Sequence, residues 1–331
     1  MNRVLGILLL LGSLGAAWIW MQIDAFLTQP LAVPESGIVV TVPKGTTLAA
    51  VARDLETQNV LGDARHLEWY GRYTGQASQI RAGEYRLEPG LIPDSLLALL
   101  VSGRSITYSL TLVEGWNIRQ IRTAVAAHEA LTHTLGEVDD AELMAKLGRP
   151  DQHPEGRFFP DTYQFTRGTS DLEFLRRAML TMDRELATAW EKRSDDAPLK
   201  TPYEALILAS IIEKETGQAG ERSEIAGVFA RRLRKGMKLQ TDPTVIYGMG
   251  ERFDGNIRRK DLREDTPYNT YVHKGLPPTP ICMPGRAALQ AAVSPAAGKA
   301  LFFVSRGDGS HVFSETLKQH NAAVRKYQLK K

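Results

Sequence analysis

Hydrophobic positions along this chain fall into distinct rhythms, and the first is an unbroken run. Val4 to Ile23 reads VLGILLLLGSLGAAWIWMQI, with Ser13 and Gln22 its only polar side chains and no charge. About 20 apolar residues at a rise of 1.5 Å match the ~30 Å hydrocarbon layer of a bilayer, so the pattern predicts a spanning helix. Arg3 precedes the run and Asp24 follows it, which places the N-terminus in the cytoplasm and the rest of the chain outside. Trp18 and Trp20 then fall near the outer interface. The competing reading is a cleaved signal peptide; the length of the run and the lack of a small-x-small site before Asp24 favour an uncleaved anchor.

Past an extended linker containing Pro30 and Pro34, a second rhythm occurs three times. Val39–Gly45 leads into Leu48, Val51, Ala52 and Leu55. Glu84–Gly90 leads into Leu96, Leu97, Leu99 and Leu100. Ser109–Gly115 leads into Ile118, Ile121 and Val125. Each is a short strand, a glycine-bearing turn and an amphipathic helix, with Thr46-Thr47 and Asp94-Ser95 as expected helix caps. The first two units resemble a LysM-like module. The third rhythm is helical, at Ala141–Leu147 and Leu172–Lys192, around the aromatic segment Glu155-Gly156-Arg157-Phe158-Phe159-Pro160-Asp161-Thr162-Tyr163. The expected fold is α+β: a transmembrane helix, a small α+β module and a mixed α+β domain.

Composition narrows the functional classes. The net charge is +3 from 41 basic and 38 acidic residues, mostly interspersed, which gives no reason to expect a nucleic-acid partner. The basic tail Arg325–Lys331 reads as a solvated helix end. Cys282 is the only cysteine, so an intrachain disulfide and a multi-cysteine zinc site are excluded. Phosphate-loop and Gly-x-Ser-x-Gly patterns are missing. His128 and His133 imitate a zinc-protease motif, but they are five positions apart instead of four, which turns them about 140° away from each other on a helix. Neither a metal nor a cofactor is expected.

Candidate chemistry concentrates after Pro202. Pro202–Gly217 reads as one helix, with proline in its first turn and glycine at its stop. Its apolar stripe, Ala205, Leu208, Ala209 and Ile212, continues onto Glu215, while Glu213 falls one step off it. A carboxyl on the buried line of a helix C-terminus is desolvated and faces the negative end of the dipole; both raise its pKa towards that of a general acid. A further helix is expected at Val228–Leu233, stopping at Gly236. Loops rich in amides, hydroxyls and aromatics follow: Leu239-Gln240-Thr241-Asp242-Pro243-Thr244-Val245-Ile246-Tyr247-Gly248, Tyr268-Asn269-Thr270-Tyr271 and Gly275-Leu276-Pro277-Pro278-Thr279-Pro280-Ile281. Such loops suit sugar faces and hydroxyls, and they equally suit packing on a core.

Together, SIIEKET, RRLRKGMKLQTDPTVIYG, YNTY, GLPPTPI, the closing FFV…HVFSETLKQHN, EGRFFPDTY and the N-terminal anchor resemble the YceG-like family of endolytic murein transglycosylases over essentially the whole chain. The resemblance implies an anchor at 1–27, a linker at 28–37, a LysM-like module at 38–103 and a catalytic domain at 104–331, with residues 104–150 assignable to either domain. It implies cleavage of the MurNAc–GlcNAc β-1,4 bond within peptidoglycan strands, leaving a 1,6-anhydro end. Glu215-Thr216 resembles the Glu-Ser pair of soluble lytic transglycosylases and makes Glu215 the acid/base, with Glu213 in reserve. Gln240, Asn269, Tyr271 and Glu155 are implied for the substrate cleft. The expected setting is the inner membrane, single-pass through residues 4–23, with the catalytic domain periplasmic and a peptidoglycan synthase as partner. A non-enzymatic glycan-binding scaffold, and a hydrolase using Asp242 as second carboxylate, are the competing functions.

Overall fold

The computed structural model describes residues 2–215 and 217–329; Met1, Thr216, Lys330 and Lys331 lie outside the described residues, among them the hydroxyl expected beside Glu215 and the last two lysines of the basic tail. The chain is mixed α+β and forms two compact units. One is Met1–Tyr108 with Ala130–Thr132 and Gln164–Thr169; the other is Ser109–Glu129 with His133–Tyr163 and Ser170–Lys331.

The first unit opens with α1 (Asn2–Thr28). Among the described residues it is the one helix long and apolar enough to cross a membrane, a test that a signal sequence also passes. Leu10, Leu11, Leu14, Trp18, Trp20 and Met21 are all exposed, an arrangement that suits lipid as the surrounding solvent. There follow β1 (Ile38–Val42), α2 (Leu48–Thr57), α3 (Ala64–Tyr73), β2 (Gly83–Leu87) and α4 (Pro93–Ser102). β1 and β2 pair antiparallel with Val40 opposite Tyr85. Alternation sends Val40, Val42, Tyr85 and Leu87 to one face, where they pack on Leu48, Leu55, Leu67, Leu97 and Leu100. Tyr85 is fully buried, and its hydroxyl donates to the Arg81 carbonyl at 2.7 Å.

Two local expectations change here. Thr47 caps α2 as expected, accepting from the Ala50 N–H. Asp94-Ser95 do not cap α4: the helix begins at Pro93 with Ile92 as its N-cap, because proline's fixed φ favours the first helical position. Asp94 instead accepts the Tyr70 hydroxyl at 2.7 Å. Helix α3 has no counterpart in the strand–turn–helix reading. Its buried face is only Ala64, Leu67 and Gly71, and at Gly71 an added Cβ would displace the Leu48 side chain by falling against its Cδ2.

The strands β3 (Thr107–Thr111) and β4 (Thr162–Thr166) pair with each other. Between them come α5 (Ile118–Ala126) and α6 (Asp140–Lys146). The second unit continues with α7 (Asp171–Glu191), α8 (Pro202–Glu215), α9 (Arg222–Arg234), α10 (Asp242–Met249), α11 (Arg286–Val293), the antiparallel hairpin of β5 (Phe302–Ser305) and β6 (His311–Ser314), and α12 (Leu317–Tyr327). At its centre, α8 is buried at every position from Ala205 to Ile212, so the expected one-sided stripe is in fact a helix enclosed on all sides by α7, α9, α10 and α11. Helix α9 starts at Arg222, six residues before Val228, because Ile225, Ala226 and Gly227 are buried as deeply as Val228 and Phe229. The same core includes Met182, Phe229, Leu239, Ile281 and Leu289.

The Glu155–Tyr163 segment joins this unit through a close backbone approach. Gly156 has φ +79°, and an added Cβ would stand 2.6 Å from Cβ and Cγ of Pro280. Gly156→Ala is expected to lower stability by about 2–3 kcal/mol through left-handed strain and overpacking, seen as a lower urea midpoint with an unchanged m value.

Candidate active site

The last turn of α8 carries two carboxylates with different surroundings. Glu213 is tied down on both oxygens. Oε2 accepts the Gly285 N–H at 2.8 Å, and Oε1 faces Arg222 Nη2 at 3.5 Å, with only 6% of the side chain exposed. Its pKa is raised by burial, with the Gly285 N–H opposing and the nearby Glu114 charge adding to the rise. Glu213, one step off the stripe, is half-buried as a residue, and the Gly285 N–H covers its carboxylate.

Glu215 ends the helix and keeps partial exposure. Its Oε1 accepts the Thr241 hydroxyl, and among the described residues this is its hydrogen-bond partner. Burial pushes the carboxyl up to about 7. The Thr241 hydrogen bond resists the rise, the Asp242 charge reinforces it, and His311 and Arg232 oppose it. A carboxyl poised there can both give and take a proton near neutrality.

The partner loop is built by hydroxyls. Thr241, Thr244 and Thr270 are each no more than 2% exposed. The Thr270 hydroxyl accepts from the Thr241 N–H at 3.0 Å and lies 2.9 Å from the Thr244 hydroxyl, which donates to the Thr241 carbonyl at 2.8 Å. This network clamps Tyr268–Tyr271 to the N-terminus of α10. Gln240, just before Thr241, is exposed and holds a left-handed φ of +50°, while its N–H donates to the Thr270 carbonyl. A non-glycine residue in that region is strained and held by its surroundings.

Of the residues expected in the cleft, Tyr271 lies where the Glu215 charge acts on its phenol, and Gln240 directly precedes the Thr241 that bonds Glu215. The Tyr271 hydroxyl donates to Asp242 Oδ1 at 2.7 Å. Burial and the charges of Asp242 and Glu215 keep it a phenol by raising its pKa. Asn269 is 1% exposed, and its amide is engaged within the protein: Nδ2 donates to the carbonyls of Asp261 at 3.1 Å and Glu264 at 2.7 Å, and Oδ1 accepts the Tyr271 N–H at 3.0 Å. It braces the loop that carries Tyr271. Glu155 sits elsewhere, fully buried against the N-terminus of α5, where both oxygens accept the Ile118 N–H at 3.2 Å and Oε2 accepts the Tyr247 hydroxyl at 3.0 Å. Burial pushes it up to about 7, against those hydrogen bonds. Helix α10 links the two carboxyls, with Asp242 in its first turn and Tyr247 near its end.

Thr241, Thr244, Thr270 and Arg232 are site residues that motif reading passed over. The threonines stood in the segments singled out, but nothing in a loop sequence says which hydroxyls face each other. No group of three or more His, Cys, Asp or Glu side chains suited to a metal occurs among the described residues.

An acid whose folded pKa lies above its unfolded value stabilises the fold less as pH rises, between the ordinary carboxylate value of 4.5 and about 7. Glu215→Gln should therefore raise the melting temperature relative to wild type at pH 8 and give little gain at pH 4.5, a difference on the order of 3 kcal/mol. Thermal unfolding of both proteins across that range measures it.

The profile of the YceG-like family matches residues 40–326. An endolytic murein transglycosylase of Bacillus subtilis is 33% identical over 87% of this chain and 84% of its own length. One from Streptococcus pneumoniae is 25% identical over 87% of this chain, which spans 58% of that protein. The crystal structure of a YceG-like protein from Listeria monocytogenes superposes with a TM-score of 0.56 at 29% identity, covering 87% of this chain and 99% of that one. With Glu215 and its hydroxyl-clamped loop inside the matched region, the chain belongs to the YceG-like family.

Proposed function

We propose that this protein is an endolytic murein transglycosylase that cuts peptidoglycan strands with Glu215 as its single acid/base. The observation that carries the reading is the Glu215 carboxyl at the end of a buried helix, bonded to the Thr241 hydroxyl and pushed up to about 7 by burial. The names of the B. subtilis and S. pneumoniae relatives support the same reaction class.

In this reading, Glu215 gives its proton to the glycosidic oxygen as the bond from the MurNAc anomeric carbon breaks, and the oxygen leaves as the GlcNAc hydroxyl. The resulting carboxylate takes the proton of the MurNAc 6-hydroxyl while that oxygen bonds to the anomeric carbon. The acid is regenerated, no water is consumed and the product is a 1,6-anhydro end. One carboxyl serves both steps, unlike the paired carboxylates of ordinary glycosidases. Glu213 is already held by Gly285 and Arg222, which favours Glu215. The Tyr271 phenol and the exposed Gln240 amide are placed by the reading along the glycan, where fixed dipoles steady an oxocarbenium-like transition state. Asn269 contributes by bracing Tyr271, and Glu155 by joining α5 to α10. Within the first unit, the β1-α2-α3-β2 order supports a LysM-like module over 38–103, followed by a catalytic domain over 104–331.

The proposed setting is the outer face of the inner membrane, with residues 4–23 as a single-pass anchor and the N-terminus cytoplasmic. A tethered site reaches only glycan close to the bilayer, which makes newly synthesised strands the substrate and a strand synthase the partner.

Glu215→Gln should lower product release from purified sacculi by about 10³-fold, with wild-type products carrying anhydro ends. Mass spectrometry decides: an undiminished Glu215→Gln removes this assignment, products one water heavier indicate a hydrolase, and sacculus binding by intact wild type with no soluble product indicates a scaffold. Deleting residues 1–27 should leave cleavage in vitro intact and impair the cellular role; full function of the soluble form in cells would remove the anchor from the account.

A further inference from the structure

Arg232, on α9, is a cation in an unusual place. It is 7% exposed, and every hydrogen bond it makes among the described residues goes to a backbone carbonyl. Nε donates to Leu301 at 2.7 Å, and Nη1 donates to Leu239 at 2.6 Å and Lys238 at 3.3 Å. The guanidinium lies 5.1 Å from the Phe302 ring centroid, and that ring is in turn stacked on His320. Neutral donors could satisfy three carbonyls. A buried charge without an anionic partner is strongly unfavourable unless something nearby balances it.

Two of the carbonyls it grips, those of Lys238 and Leu239, belong to the irregular segment that leads directly into Gln240 and Thr241. Holding Lys238 and Leu239 fixes where the chain enters the left-handed turn at Gln240, and hence where the Thr241 hydroxyl meets Glu215. The ionisable groups acting on the Glu215 carboxyl come from several elements: Asp242 at the start of α10, Arg232 on α9 and His311 on β6, with the Tyr271 phenol bonded to Asp242. His311 is itself paired with Glu221, its Nδ1 2.7 Å from that carboxylate. Among the described residues Arg232 has no such partner, and burial lowers its pKa while Tyr271 and Glu215 act against that fall.

We propose that Arg232 is a positioning residue for the reaction at Glu215: its guanidinium latches the segment that presents Thr241, and its charge steadies the carboxylate that Glu215 becomes after giving up its proton. The inference rests on Glu215 being the acid/base. It explains how a carboxyl already beside Asp242 can ionise in a desolvated position and then recover its proton from the sugar.

The test is the pH dependence of glycan release from purified sacculi by the full-length protein, comparing wild type with Arg232→Gln and Arg232→Lys, and with Glu215→Gln as control. The protonated acid is the active form, so activity falls as pH rises through the Glu215 pKa. Loss of the cation raises that pKa. Arg232→Gln should slow release about 10- to 100-fold, as misplacement of a catalytic group does, and move the alkaline limb to higher pH. Arg232→Lys keeps the charge without the fork; it should slow release while leaving the limb where wild type has it. A slowed Arg232→Gln with an unmoved limb would mean a merely structural latch and overturns the proposal, as does a wild-type rate in either variant. Should Arg232→Gln fail to give a cooperative melting transition, Arg232→Lys decides alone: a displaced limb refutes the charge role. An active Glu215→Gln would instead remove the assignment of Glu215 on which the inference stands.

Discussion

Removal of water from one carboxyl organises the second unit. Glu215 can hold a pKa near 7 only because α8 runs enclosed from Ala205 to Ile212 and delivers its last turn against the start of α10. Desolvation alone would leave the acid too reluctant to ionise, and the Thr241 hydroxyl, with Arg232 and His311 nearby, limits the rise. The balance matters because a single carboxyl that must act first as acid and then as base works best when its pKa lies close to the working pH.

That balance depends on a loop geometry held without regular secondary structure. Buried polar groups must be paired, and here the pairing locks separate motifs to one another. Thr241, Thr244 and Thr270 join QTDPT to YNTY. Asn269 ties YNTY to the 261–264 turn, and Gly156 lets EGRFFPDTY approach Pro280 of GLPPTPI. Residues that look like sugar-binding amides and hydroxyls in the sequence therefore divide in two: some face outward, as Gln240 does, and others serve as the joinery that keeps those in place.

The two carboxylates of α8 show why neighbours matter more than helical phase. Glu213 and Glu215 sit two residues apart with similar burial, yet Glu213 meets a backbone N–H and a guanidinium while Glu215 meets a hydroxyl and an opposing carboxylate. Both pKa values rise through burial, but only Glu213 has a backbone N–H and a guanidinium on its carboxylate.

Much was legible from the chain by itself. Periodicity and end signals located α2, α7 and α8, the apolar run marked α1, and the stripe through Ile212 pointed at Glu215, because local propensity and hydrophobic spacing are written residue by residue. The start of α4 at Pro93, the early start of α9 and the thin-faced α3 were less legible, since each depends on what packs over it. The sequence determined which carboxyls and hydroxyls were available and which of them a helix would bury. Only the tertiary structure decided which met which: that Asn269 would brace a loop, that Glu155 would sit at the start of α5, and that Arg232 would lie buried within electrostatic reach of Glu215. Pairings between residues far apart in the chain have no local signal, because the free energy that selects them arises when the elements are packed and water has gone.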